Sequence, residues 1–441
     1  MRISKYILTF LLAGSIALFA FQAATKETPP EGGTPKDFVL PQRETFTLAN
    51  GLQVVLVSYG IIPKASLQLT VKTGNIHENP EESGLCDLVG KFLEEGTAAH
   101  PAAEHAKAFA KMGGQLDIGV GMHTTTLAAT VLSEFAPACA ELIAETILQP
   151  AFPASETDRL KNDLKRDWAV QRTQPQNQAQ EAFFQKIYGD HPYGRPLPED
   201  AVVDAFTQEQ ARAALDRQFG AARSTLYVAG KFDAATLRKA IETAFAAWQQ
   251  GPAVAYPIAQ AQMNNSIDLI ERANSPQATL YFGLPVPDPT SPDYNALDVM
   301  DDILGGSFGS RITSNIREDK GYTYSPFSTV QNSIKNAVWY EQADVTIEHT
   351  GDAMVEVYKE IDRLRKEAPT EEELKGIQTY KAGIFVLQNS SPQGIIGQLN
   401  FMDLHGLPDT YLSNRIKDIY SVTPEQVQAT TEKYLDPEKM L

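Results

Sequence analysis

The chain has 441 residues, 43% of them hydrophobic, which is too long for one ordinary core and enough to fill two domains of about two hundred residues each. A formal net charge of −17 gives an acidic surface that repels nucleic acid and anionic lipid, and that favours basic peptides or a less acidic partner. The two cysteines, Cys86 and Cys139, fall in helical apolar patterns and read as small buried hydrophobes; a disulfide in an oxidising compartment is the alternative.

Residues 1–24 place Arg2 and Lys5 ahead of an apolar run from Ile7 to Phe21, followed by Ala23 and Ala24. That is a secretory signal, too short to span a bilayer, and its removal takes the charge from −17 to −19. A periplasmic or secreted location follows, and no other run is long enough for a membrane span. Residues 25–41, rich in Pro, Gly, Thr and Lys, are expected to be a flexible lead-in to a first domain over 42–248. Asn50-Gly51 marks a tight hairpin, and Ala65 to Lys72 alternates as a half-buried strand. A helix over 83–95 carries Leu85, Leu88, Val89, Phe92 and Leu93 on one face.

Further on, the pattern gives a helix from Ala102, strands over 115–120 and 123–131, and helices over 133–148 and 155–172. A helix opening at Thr207 leads to a strand over 225–229. Residues 249–265 contain two prolines and no periodicity, so the linker belongs there, and a second domain over 266–441 starts with a strand at 278–284. Ser291-Pro292 is expected to cap a helix running to Leu304. Strands paired with helices laid on one side argue α+β, as two homologous α/β-sandwich domains, each a mostly antiparallel sheet. An internal repeat supports the two halves: Thr207-x-x-Gln210 and Thr423-x-x-Gln426 are capping boxes 216 residues apart, with Ala213 matching Ala429. The strand after the first box has its counterpart at about residue 441, so the second sheet is expected to lack that strand or to gain it from elsewhere.

The most informative stretch is Leu304 to Ser325. Gly305, Gly306 and Gly309 permit positive φ and close backbone approach; Ile312 and Ile316 share an apolar stripe; Gly321 is a helix stop; Arg317 ends the helix and Tyr324 is placed on a strand behind it. The stretch lacks a P-loop lysine and does not fit G-x-G-x-x-G, which argues against a nucleotide site. It resembles the C-terminal half of the pitrilysin/insulinase family of zinc peptidases, inverzincins that include the mitochondrial processing peptidases. Members carry a Gly-rich turn, Ser-Arg-Leu, Arg-Glu-x-Lys-Gly and then a tyrosine. The resemblance implies that Arg317 and Tyr324 act on a peptide across a chamber, with Gly305, Gly306 and Gly309 contributing to substrate binding.

In the first half, members of that family read Gly-Leu-x-His-x-x-Glu-His, where two histidines at i and i+4 share a zinc ion and the glutamate polarises its water. This chain reads Gly84-Leu85-Cys86-Asp87-Leu88-Val89-Gly90-Lys91, so Asp87, Gly90 and Lys91 stand at the three functional positions. Asp87 and Lys91 are expected either as a weak i, i+4 ion pair or as two solvated charges. His100-Pro-Ala-Ala-Glu104-His105 imitates a zinc motif with one residue too many, and Pro101 resists a helix there. Asp163 and Asp167, on the helix from which a third ligand would come, read as surface acids. The resemblance therefore implies no metal in this chain and a homologous zinc-bearing subunit as its partner, this chain supplying Arg317 and Tyr324. A non-catalytic assembly subunit, as in respiratory complexes, is the rival reading.

Overall fold

The first strands follow directly from the hairpin signal. In the computed structural model, which describes residues 39–441 except residue 264, β1 (Arg43–Thr47) and β2 (Gln53–Ser58) pair antiparallel around Asn50-Gly51. Gly51 has φ 94°, and the Asn50 amide donates to the Phe245 and Trp248 carbonyls at 2.8 and 3.0 Å, fastening the turn to the end of the domain's last helix. The expected signal segment and most of the lead-in lie outside the described residues.

With β3 (Lys64–Val71), β4 (Leu116–Val120), β5 (Thr125–Leu132) and β6 (Ser224–Gly230), these strands form a sheet in the order β1-β2-β6-β3-β5-β4. Every neighbouring pair is antiparallel except β2 and β6. β6 comes last in the chain yet lies inside the sheet, and all seven of its residues are buried. A strand covered on both faces needs no polar alternation, which is why Leu226-Tyr-Val-Ala reads as an unbroken apolar run. The helices of this half are α1 (Leu85–Glu94), α2 (Ala102–Lys111), α3 (Ala136–Leu148), α4 (Thr157–Thr173), α5 (Pro175–Tyr188), α6 (Asp200–Asp204), α7 (Gln208–Gln218) and α8 (Ala234–Ala244). Phe92, Phe109, Ile143 and Phe245, all fully buried, pack with Leu67 and Leu69 of β3 as the first core.

In the second half, β7 (Gln277–Val286), β8 (Phe327–Ser333) and β9 (Asn336–Thr346) make an antiparallel sheet in the order β7-β9-β8. Its helices are α9 (Tyr294–Asp301), α10 (Thr350–Lys366), α11 (Glu371–Gln388), α12 (Pro392–His405), α13 (Tyr411–Ser421) and α14 (Pro424–Tyr434). Ser291-Pro292 is not the cap of α9: Asp293 holds that position, and Ser291 only accepts a hydrogen bond from its N–H at 3.3 Å. Nor is the stretch to Leu304 one α-helix, since a π-helical turn takes over at Asp302–Gly306. Both expected capping boxes are present, with Thr207 and Gln210, and Thr423 and Gln426, each exchanging two hydrogen bonds. Cys86 and Cys139 are free and buried. Among the described residues no helix is long and apolar enough to cross a membrane.

Each half covers the other's sheet. Ile395, Leu399 and Met402 of α12 pack with Val57, Tyr227 and Ala229 on the open face of the first sheet. In return, Phe183, Phe184 and Ile187 of α5 pack with Val338 and Tyr340 of the second. Lys72 and Tyr227 both reach Asp403 at 3.0 Å, adding a polar tie beside the first contact. Leu399 is 4% exposed, so Leu399→Ala should cost about 2 to 5 kcal/mol in urea unfolding through the cavity it leaves. A loss below about 1 kcal/mol would mean that this cross-half contact contributes little to stability.

Candidate active site

The glycine stretch is built on the end of α9. The π turn buries Leu304 and Gly305, and a Cβ on Gly305 would come within 2.5 Å of Ser328 Oγ and 2.7 Å of Glu341 Oε2. A Cβ on Gly306 would meet Asp301 Oδ2 at 2.7 Å, whereas one on Gly309 would meet nothing within 4 Å. The close approach expected of Gly305 and Gly306 is therefore toward the protein's own acids. The positive φ expected of Gly305, Gly306 and Gly309 is not adopted by any of them; Gly321, the helix stop, has φ 66°.

Beneath the loop lies a buried acidic pair, Asp301 and Glu341. Asp301 accepts from Ser328 Oγ at 2.5 Å and Trp339 Nε1 at 2.8 Å, and burial pushes its carboxyl up to about 7. Glu341 is 0% exposed, neither of its oxygens has a hydrogen-bond partner among the described residues, and burial drives its carboxyl well above the usual range. Burial thus favours the uncharged form of Glu341.

Ser310 opens the next turn, its hydroxyl accepting from the Thr313 N–H at 3.3 Å. A second π-helical segment, Thr313–Asp319, carries Arg317. Ile312 and Ile316 are 0% exposed and anchor it from below, as their spacing predicted, and Arg311 grips Glu373 of α11 with two bonds of 2.7 and 2.8 Å. Arg317 is left on the open side. Its guanidinium lies 4.4 Å from the centroid of the Phe308 ring and 4.9 Å from that of Tyr324, with Glu318 at 3.2 Å from Nε.

Both rings are outward-facing, Phe308 69% and Tyr324 78% exposed, and the Tyr324 hydroxyl makes no hydrogen bond among the described residues. The structure thus brings Arg317 and Tyr324 together, but not on a strand: β8 starts only at Phe327, and Tyr324 sits in the bend that precedes it. Tyr322 is different in kind, its ring stacked on His349 at 4.3 Å and packed against the second core. Phe308 was not singled out in the sequence. The available signal was a lone large apolar residue among Gly and Ser.

On α1, Asp87, Gly90 and Lys91 take separate partners. Asp87 accepts from Asn75 Nδ2 at 2.7 Å, and burial raises its carboxyl to about 6. Lys91 lies 3.8 Å from Asp167 of α4, a partly exposed pair contributing about 0.5 kcal/mol or less. Neither the Asp87–Lys91 ion pair nor two solvated charges is found. Asp167 takes part in this contact, while Asp163 is held by Arg159 and Arg166 at 3.1 and 3.0 Å. Gly90 is buried against β4, where an added Cβ would strike Val120 Cγ2 at 2.7 Å.

These residues do not fit zinc, because Gly90 offers no donor, Lys91 is a cation, and Asp87 is already engaged. His100, which precedes the helix that begins after Pro101, and His105, within that helix, diverge as well, to Glu145 and Thr146, each at 2.8 Å. Among the described residues no group of three His, Cys, Asp or Glu side chains is placed to hold a metal ion.

The N-terminus of α1 carries a feature the sequence did not reveal. Glu78 accepts from the Gly84 and Cys86 N–H groups at 3.0 and 2.7 Å, capping the helix from outside it, while burial pushes its carboxyl up to about 7. Both Glu78 and Asp87 have folded values above those of the unfolded chain, so between about pH 4 and 7 the folded state binds more protons, and stability falls as pH rises through that window. Several histidines with values lowered by burial act in the opposite sense below 6.5. The comparison with Glu78→Gln isolates the carboxyl: relative to the variant, the parent should lose melting temperature between pH 5 and 8. Parallel curves would refute the assignment.

Comparison with known proteins places this geometry in context. The family model described as insulinase (peptidase family M16) matches residues 53–201, and that described as peptidase M16 inactive domain matches residues 205–380. An uncharacterized zinc protease of Mycobacterium bovis is 23% identical over 406 residues, 91% of this chain and 92% of its own. The crystal structure of a peptidase M16 inactive domain from Pseudomonas fluorescens is similar with a TM-score of 0.82 and 25% identity, over 90% of this chain and 96% of its own. The periplasmic protease PqqL from Escherichia coli, 18% identical, shares the fold with a TM-score of 0.77 over 96% of this chain and 49% of its own.

Proposed function

The chain belongs to the insulinase family of M16 peptidases, and from that premise we propose that it is the non-zinc subunit of a heteromeric periplasmic peptidase. In this reading it supplies Arg317 and Tyr324 to a homologous partner chain that carries H-x-x-E-H. The observation that carries the reading is the contrast between the two halves. Arg317 stands between two exposed rings with the Tyr324 hydroxyl free, while Asp87, Gly90 and Lys91 make no metal site. No zinc is assigned to this chain; bound in the partner, it would polarise the water that attacks the peptide.

Peptide hydrolysis gathers negative charge on the carbonyl oxygen. A phenol hydroxyl aimed at that oxygen bonds it more strongly in the transition state than in the ground state, which lowers the barrier. Arg317 has a different task. Its guanidinium, lying over the Phe308 and Tyr324 rings with Glu318 beside Nε, would hold a neighbouring substrate carbonyl. Peptide substrates are favoured by the acidic surface when they are basic. The affinity with a periplasmic protease and the expected secretory signal support the location.

The test is complementation with the H-x-x-E-H chain from the same source. This chain alone should not cleave peptides, and the mixture should do so in a zinc-dependent way. Tyr324→Phe in the mixture should lower kcat roughly a hundredfold or more with little change in KM, since the lost bond forms mainly in the transition state. Arg317→Ala should also raise KM, and neither change should alter zinc content. Tyr322→Phe, which leaves the His349 stack in place, should be nearly silent. Undiminished cleavage by a mixture carrying both Arg317→Ala and Tyr324→Phe would instead favour a non-catalytic assembly subunit.

A further inference from the structure

The two arginines of the glycine loop are held in opposite ways. Arg311 gives Nε and a terminal nitrogen to the Glu373 carboxylate at 2.7 and 2.8 Å. Arg317 is held by ring faces instead, its guanidinium 4.4 Å from the centroid of Phe308 and 4.9 Å from that of Tyr324. Glu318 lies 3.2 Å from its Nε, and no hydrogen bond occupies its terminal nitrogens among the described residues. The difference matters for what each arginine can do. A carboxylate grips a guanidinium through its N–H groups and so occupies them, whereas a ring takes the face of the cation and leaves the N–H groups free for another acceptor.

The Phe308 ring is presented by a closed turn. The Ser310 N–H bonds the Ser307 carbonyl at 3.1 Å, which makes a four-residue turn with Phe308 in second place. Both ends of the turn are buried, while Phe308 is exposed. On one side the Ser307 hydroxyl donates to the Asp302 carbonyl at 2.8 Å; on the other the Ser310 carbonyl accepts from the Ser314 N–H at 2.9 Å. The turn is therefore continuous with the π-helical segment that carries Arg317, and the ring and the guanidinium are fixed to one piece of backbone. Burial does not account for a phenylalanine at this exposed place; its ring lies against Arg317.

We propose, resting on the role given above to Arg317, that Phe308 is its positioning residue: the ring holds the guanidinium beside Tyr324 by its face, so that the N–H groups stay free for a substrate carbonyl. Phe308 itself does no chemistry and acts through the arginine. Without the ring, the acceptor nearest to hand is the Glu318 carboxylate, already beside Nε, which would draw the N–H groups to itself. The Tyr324 ring, at the longer distance, would be left as the only aromatic contact of the cation among the described residues.

The experiment pairs Phe308→Leu, which keeps an apolar side chain and removes the ring, with Phe308→Tyr, which keeps the ring. In the chain alone, Phe308→Leu should move the Arg317 Nε–H resonance, assigned by its loss in Arg317→Lys, from a ring-shifted position toward that of a free arginine. In the mixture with the H-x-x-E-H chain, the same variant should raise KM about two- to fivefold, the range of one exposed cation–π contact, with kcat little changed. Phe308→Tyr should keep the resonance and the KM of the parent. Added to Arg317→Ala, Phe308→Leu should change KM no further. The proposal is overturned by an unmoved resonance, by an unchanged KM where Arg317→Ala raises it, or by a Phe308→Tyr that behaves as Phe308→Leu. An effect of Phe308→Leu that persists in Arg317→Ala also overturns it, and makes Phe308 a contact of substrate or partner in its own right. Silence of Arg317→Ala itself overturns the role of the arginine, and the positioning role with it.

Discussion

The exchange of cover between the two halves is the constraint from which the rest of this molecule follows. A sheet with helices on one face leaves a second face exposed, and here each is closed by a helix of the other half: α12 on the first sheet, α5 on the second. Neither half has an independent surface on the shared side. Burial of Val57, Tyr227 and Val338 depends on the other half being folded and docked, which ties the position of the Arg317 loop to residues far from it in sequence. Most of the hydrophobic driving force on that side is therefore cooperative between the two halves.

Much of the first half was legible in the sequence, because its signals are local: Asn-Gly at the hairpin, Thr-x-x-Gln at α7, the apolar stripe of α1. The repeat of the Thr-x-x-Gln box at α14 made the second half legible as a copy. Less visible were features that depend on contacts distant in sequence. Glu78 caps α1 from a preceding loop, so no spacing rule finds it, and Lys91 chose Asp167 on another helix over Asp87 on its own. The glycines of the loop had a reason other than the one read from them, since the acids beneath Gly305 and Gly306 arrive from α9 and β9. Phe308 escaped notice because an exposed aromatic residue has no periodicity.

The positions of Asp87, Gly90 and Lys91 are filled and paired rather than open. An interior tolerates neither empty volume nor unpaired charge for long. Val120 lies against the backbone at Gly90, Asn75 donates to the carboxylate of Asp87, and Asp167 faces the ammonium of Lys91. Restoring histidine, glutamate and histidine on α1 would therefore meet packing and hydrogen bonds that have already been committed, and three substitutions would not recreate a binding site.

The π-helical character of Thr313–Asp319 has a consequence for the angular position of Arg317. A π segment holds one more residue than the α-helical turn it replaces, and each residue of a regular helix advances the side chain by about 100° around the axis. If the segment rewound as an ordinary α-helix at the same length, the difference in winding would accumulate over the steps from Ile312 to Arg317. The guanidinium would then swing away from Phe308 and Tyr324. The wider winding thus acts as an azimuthal offset, and a change of winding alone would separate the arginine from the tyrosine while leaving both in the sequence.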